Sequence, residues 1–194
     1  MRPSPDVPVG SPFIAGVMRK KLGERVELYT VDRLGTLAEG STCQLQHYND
    51  VSPEVLAEHS NSLFPDGLSR HGEMYFLRAE SQVQAINPML ELFFEQVRRA
   101  SFPDKPSRMQ SMFAVDCLSS VRDFKIRFKA LELPVYKVKA ETVFRADMGL
   151  LYGGNSALVT SWFASQYWKG EAGPEQPFWE WVLKCPVEIG ERIA

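Results

Sequence analysis

Apolar positions recur along this chain at two periods. From 26 to 31 they alternate: Val26, Leu28 and Thr30 share one face of an extended segment and Glu27, Tyr29 and Val31 the other, which predicts a strand. A second clean alternation runs from 135 to 140, with Tyr136, Val138 and Ala140 inward and Lys137 and Lys139 outward. Residues 42–48, 109–115 and 181–189 complete the strand candidates, the last broken at Pro186, which cannot donate to a ladder. The other period is helical. Leu90, Phe93, Phe94 and Val97 stand at i, i+3, i+4 and i+7, behind an Asn87-Pro88 start and ahead of Pro103. Ser52-Pro53-Glu54 carries the same start chemistry: an N-cap hydroxyl, a proline in the first turn and an acid on the positive end of the dipole. That helix ends before the turn Phe64-Pro65-Asp66-Gly67. Val121, Phe124 and Phe128 line one side of a helix opening near Ser119, and 156–168 forms an aromatic-rich helix after the loop Gly153-Gly154-Asn155.

Pro3, Pro5, Pro8 and Pro12 make residues 1–12 an extended arm, and a short helix over about 13–22 closes at Gly23. Strands and helices then follow without regular βαβ alternation, which favours an α+β fold. The expected division is an N-terminal arm and short helix over 1–25 and a single domain over 26–194. A chain of 194 residues buries a substantial core.

Composition adds little until charge is placed along the chain. The net charge of −2 selects no partner. Between Arg98 and Lys139, however, ten Lys/Arg face four acids, so this segment carries +6 and the remainder −8. Such asymmetry fits either a phosphate-bearing ligand held by the middle of the chain or a solvated helix face with a Lys-rich strand edge. Cys43, Cys117 and Cys185 are far apart and not in metal spacing, which argues against a disulfide framework and reads as three core residues in a reducing compartment. His47, His59 and His71 lack ligand spacing, so no metal is expected. The apolar run 13–18 is followed rather than preceded by Arg19-Lys20-Lys21 and is too short to span a bilayer; the expectation is a cytoplasmic protein without membrane contact.

Three polar segments occupy places where a core prefers apolar residues. Residues 64–75 concentrate Gly, Ser, Arg and His, including Arg70, His71 and Gly72, as a ligand loop or a plain surface turn does. In 102–113, Ser107, Arg108 and Ser111 stand at the entry to an apolar strand; Arg108 suits bidentate phosphate binding, or else an ion pair with Asp104 or Glu95. In 178–189, Glu180 is wedged between Trp179 and Trp181, which makes it either a paired carboxylate or a functional one.

In this order the segments resemble a bacterial and phage family of the ADP-ribosyltransferase-like superfamily. The carrying residues are Tyr29-Thr30-Val31-Asp32-Arg33 with Leu37 and Gly40; Phe94-Glu95-Gln96-Val97-Arg98, Phe102-Pro103 and Pro106-Ser107-Arg108; Ser111 with Phe113; Ala164 with Tyr167-Trp168; and Trp179-Glu180 before Val187. The resemblance implies a split β-sheet core with flanking helices and NAD, as substrate, in the cleft between two small sheets. It implies that Glu180 is the catalytic carboxylate at the nicotinamide ribose. It places Tyr29, Thr30, Arg33, His71, Gly72, Ser107, Arg108, Ser111 and Phe113 around NAD, with Phe113 or Tyr29 stacking on nicotinamide and Arg108 or Arg33 on the pyrophosphate. The implied activity is transfer of ADP-ribose to a macromolecular acceptor, nucleic acid or protein, as a toxin, defence or phage-borne effector. Two departures bear on it. Thr30 stands where many such enzymes carry His, which keeps open a catalytically degenerate module that binds a nucleotide or a protein. Phe178 stands two residues before Glu180, where enzymes that modify arginine carry an acid or amide.

Overall fold

The computed structural model describes residues 27–78 and 86–193. The N-terminal arm, the helix expected over 13–22 and Val26 lie outside the described residues. The fold is mixed α+β with two antiparallel sheets. One has four strands: β1 (Leu28–Val31), β4 (Val135–Ala140), β7 (Val187–Arg192) and β2 (Thr42–Cys43), side by side in that order. The other has three: β3 (Ser111–Ala114), β6 (Trp179–Lys184) and β5 (Val143–Asp147).

Alternation is what builds β1 and β4. Leu28 and Thr30 are buried in β1, and Val138 lies beneath the sheet while Lys139 points to solvent. The strand expected over 42–48 shrinks to Thr42–Cys43, and Gln46 adds only an isolated bridge to Leu68. The broken strand over 181–189 is two strands in different sheets. Cys185-Pro186 ends the hydrogen bonding of β6 and hands the chain to β7.

The helices are α1 (Glu54–Leu63), the single turn α2 (Arg70–Gly72), which runs on into a π-helical turn over Glu73–Leu77, α3 (Pro88–Ser101), α4 (Leu118–Arg127) and α5 (Ala157–Lys169). Asn87 caps α3 by accepting from the Met89 amide, and Ser156 caps α5 by accepting from Val159. Ser52 is not the cap of α1. Pro53 takes that position, and no side chain bonds the helix end. The main core lies between the three-stranded sheet and helices α3 and α5, where Phe94, Met109, Leu151, Tyr167, Trp168 and Val182 meet; the Trp168 indole donates to the Phe94 carbonyl at 2.8 Å. A second core lies between the sheets, around Leu28, Val138, Leu183, Val187 and Ile189.

Besides that packing, hydrogen bonds join β1 to the end of β3. Tyr29 and Val115 exchange two backbone hydrogen bonds of 2.8 Å, and the Thr30 hydroxyl donates to the Phe113 carbonyl at 2.8 Å. Beside this junction lies a cleft lined by residues of β1, β3, the α2 turn and Glu180 of β6.

Candidate functional site

The cleft has a volume of about 580 Å³, within the range of small-molecule sites. Its floor is set by the stretch between α3 and β3. Ser107 caps a 3₁₀ turn over Arg108–Gln110, accepting from Met109 N and donating to Glu95 at 2.9 Å. That turn drives Arg108 into the protein. Only 2% exposed, it donates from Nε and Nη2 to the two oxygens of Glu91 at 2.8 Å each, a bidentate pair. Its Nη1 lies 2.5 Å from both Glu180 Oε1 and the Tyr167 hydroxyl, and Tyr167 itself donates to Glu180 Oε1 at 2.7 Å.

Glu180 is therefore held by one oxygen. Arg108 and Tyr167 converge on Oε1, while Oε2 has no hydrogen-bond partner among the described residues and is not sealed off, in a side chain that lines the cleft. Burial would raise the Glu91 carboxyl, but Arg108 and then His71 outweigh it and hold that group well below the ordinary carboxylate range. Burial and the neighbouring Glu180 push the Tyr167 phenol well up, so it stays a neutral donor. The floor thus sets two carboxylates, Glu91 and Glu180, around one guanidinium, Arg108.

His71 stands at the mouth of this cluster on α2. Its ring lies 4.4 Å from Tyr75 and 4.6 Å from Phe113, centroid to centroid. Nε2 is buried 3.3 Å from Glu91 Oε1, close but without the alignment a hydrogen bond needs. The Ser69 hydroxyl caps the α2 turn by accepting from Gly72 N, and Ser69 N donates to Met109 O. Gly72 is required here because a Cβ would sit 2.2 Å from the Met109 carbonyl oxygen.

Of the ten residues expected at the site, Tyr29, Thr30, Arg33, His71, Arg108, Ser111, Phe113 and Glu180 line the cleft. Ser107 and Gly72 do not. The first is turned to Glu95 and the second packs on the Met109 backbone. Several expected roles change. Arg108 is committed to Glu91, Glu180 and Tyr167 and is not a free pyrophosphate ligand; its partner is Glu91 rather than Glu95 or Asp104. Glu95 instead collects Arg98, Arg99 and Ser107. One face of Phe113 is covered by the Arg108 guanidinium at 4.3 Å. Thr30 spends its hydroxyl proton on the β1–β3 junction, and Ser111 donates to Ser107 O at 2.6 Å. Arg33 reaches over the Phe128 ring at the cleft edge, and Phe178 lines the same edge, stacked with Phe124.

The basic middle of the chain does not form one phosphate patch. Arg98 and Arg99 pair with Glu95, Arg108 lies in the floor, and Lys137 pairs with Glu27 and Glu191. Nor are the cysteines alike. Cys185 is buried and Cys43 half-buried, both on the cleft wall, whereas Cys117 sits near the surface beside Ser119 and Ser120.

Glu91 escaped the sequence reading. It is flanked by Leu90 and Leu92 in an amphipathic helix. Its signal was position: Glu91 and Glu95 share with Phe94 the inward face of α3, at i, i+3 and i+4.

Among the described residues no group of His, Cys, Asp and Glu is arranged to hold a metal ion, and no helix is long and apolar enough to cross a membrane. A family model described as a protein of unknown function, DUF2441, matches residues 29–194. No curated protein matches the chain.

Proposed function

The chain belongs to the DUF2441 family of proteins of unknown function, and from the chemistry of its cleft we propose that it is an NAD-dependent ADP-ribosyltransferase with an ADP-ribosyltransferase-like split-sheet fold. The observation that carries this reading is Glu180: one carboxylate oxygen fixed by Arg108 and Tyr167, the other turned to a cleft of nucleotide size. NAD fits the residues present. A floor of two carboxylates around one guanidinium suits the cationic nicotinamide ring, and His71, Tyr75 and Phe113 form an aromatic wall beside it. Arg33 also lines the cleft and supplies a cation for the pyrophosphate.

Breaking the nicotinamide–ribose bond sends its electron pair to the ring nitrogen and leaves positive charge on the ribose. Glu180 Oε2 meets that charge, and because Oε1 is already held, the carboxylate needs no reorganisation as the charge develops. The acceptor adds to the ribose carbon and loses its proton. Nicotinamide, ADP-ribosylated acceptor and one proton are the products. The acceptor is a macromolecule, nucleic acid or protein. Phe178 in place of an acid or amide before Glu180 leans away from an arginine side chain.

The test is nicotinamide release from labelled NAD, with cell lysate, RNA and DNA as acceptor fractions and Glu180→Gln as control. The variant keeps an oxygen for Arg108 and Tyr167, so NAD binding persists while turnover falls about 100-fold or more. Equal rates for the two proteins would refute the assignment. NAD binding without turnover in the native protein would favour the alternative of a binding module. The locked Thr30 hydroxyl and the Arg108 hold on Glu180 are the two observations on its side.

A further inference from the structure

Glu180 accounts for the leaving of nicotinamide and leaves the acceptor's proton without a destination. The same cluster contains a second carboxylate that touches no part of the cleft directly but stands behind a ring that does. Glu91 is fully buried and ionised, and His71 Nε2 lies 3.3 Å from its Oε1. The negative charge of Glu91 at that distance attracts a proton onto Nε2 even without an aligned hydrogen bond, which leaves the lone pair on Nδ1. Among the described residues Nδ1 has no hydrogen-bond partner and is not sealed off, and His71 lines the cleft. The ring is pinned between Tyr75 and Phe113, so it cannot swing its two nitrogens freely.

We propose that His71 is the general base of the reaction, taking the acceptor's proton on Nδ1, with Glu91 as the positioning residue that fixes its tautomer and Arg108 as the clamp on Glu91. The inference rests on the transferase reading above and narrows its acceptor. As the X–H group approaches the ribose carbon, the X–C bond forms and the C–N bond to nicotinamide breaks with its electron pair. The proton of X–H passes to Nδ1 and then to water. The imidazolium so formed faces the Glu91 carboxylate, which compensates its charge. A base is needed only when the nucleophile carries a proton at neutral pH. The acceptor class is therefore a hydroxyl or an amide or ring N–H, and not a side-chain carboxylate.

The experiment follows nicotinamide release from NAD, in water and with added methanol, for the native protein, His71→Gln and His71→Ala. NAD binding and thermal melting are measured for all three. The expected result is a fall of about 100-fold or more in both variants with NAD binding kept. Sodium azide, a nucleophile that brings no proton, restores release in His71→Gln. Imidazole, which refills the vacated space, restores it in His71→Ala. Rates within a few-fold of native in the variants would overturn the proposal, as would a loss that neither azide nor imidazole repairs, since a merely structural role gives that pattern. A native protein that neither binds nor consumes NAD would overturn the transferase reading and this inference with it. Native turnover with unaffected variants would sink the inference alone.

Discussion

Replacing Arg108 by Met isolates what the buried cluster contributes to stability. Met approximates the length of the arginine stem but offers no donor. Two carboxylates, 0% and 4% exposed, would lose the cation that both now bond. Removing one partner of a buried ion pair costs about 3–5 kcal/mol, because the remaining charge is stranded in low dielectric. For a chain of this length each kcal/mol is worth about 2–4 °C, so melting should fall by roughly 6–20 °C at pH 7.5. The dependence on pH separates this cause from lost packing. In the native protein the Glu91 carboxyl lies below its ordinary value. Its stabilisation is complete above the unfolded value of about 4.3 and is lost only as pH falls through the depressed one. In Arg108→Met only His71 still opposes burial, and the folded-state value moves up. The variant then gains stability relative to native as pH falls and the Glu91 carboxyl takes up its proton, and the gap to native should narrow between pH 7.5 and 5. Urea unfolding at both pH values measures it. A loss under about 1 kcal/mol at pH 7.5, or one independent of pH, would refute the reasoning.

Two further outcomes are expected. Gly72→Ala places a methyl 2.2 Å from the Met109 carbonyl oxygen, a contact only backbone movement relieves; thermal melting should show a loss of about 1–3 kcal/mol, and an unchanged melt would mean the α2 turn is looser than its hydrogen bonds imply. Cysteine alkylation should be ordered. The Ser119 and Ser120 hydroxyls lower the Cys117 thiol, whereas burial pushes Cys185 up to about 12. Peptide mapping after iodoacetamide at pH 8 should therefore find Cys117 modified first and Cys185 last, and the reverse order would contradict the geometry.

The elements with strong local signals were legible from the chain. Helix α3 announces itself through Asn87-Pro88 and its apolar spacing, and β4 through strict alternation. Strand β5 went unseen because Val143-Phe144-Arg145-Ala146-Asp147 is short and ends in an acid whose side chain caps the following 3₁₀ turn. The junction at Cys185-Pro186 was read as a break in one strand, since nothing local says that the two halves join different sheets. At the site, Glu180 and Arg108 stood out as polar residues in apolar company. That they bond each other is tertiary information: 72 positions separate them. Arg108's choice of Glu91 over Glu95 depends on which turn of α3 faces the 3₁₀ segment, and helical periodicity puts both acids on one face without deciding between them. The cysteines misled for a related reason. Residue type predicts burial only on average, and Cys117 is a helix N-cap near the surface.

The position of β6 and β7 within their sheets also governs when the protein can fold. Each is the strand that joins its neighbours: β6 lies between β3 and β5, and β7 between β4 and β2. Both come later in the sequence than every strand they pair with. A growing chain on the ribosome thus holds unjoined edges from both sheets until residues 179–192 have emerged. Strands β3 and β5 then find the same partner at once, and β2 and β4 theirs. Assembly is necessarily a late event built on contacts distant in sequence, the regime in which loop closure slows folding and exposed strand edges invite aggregation.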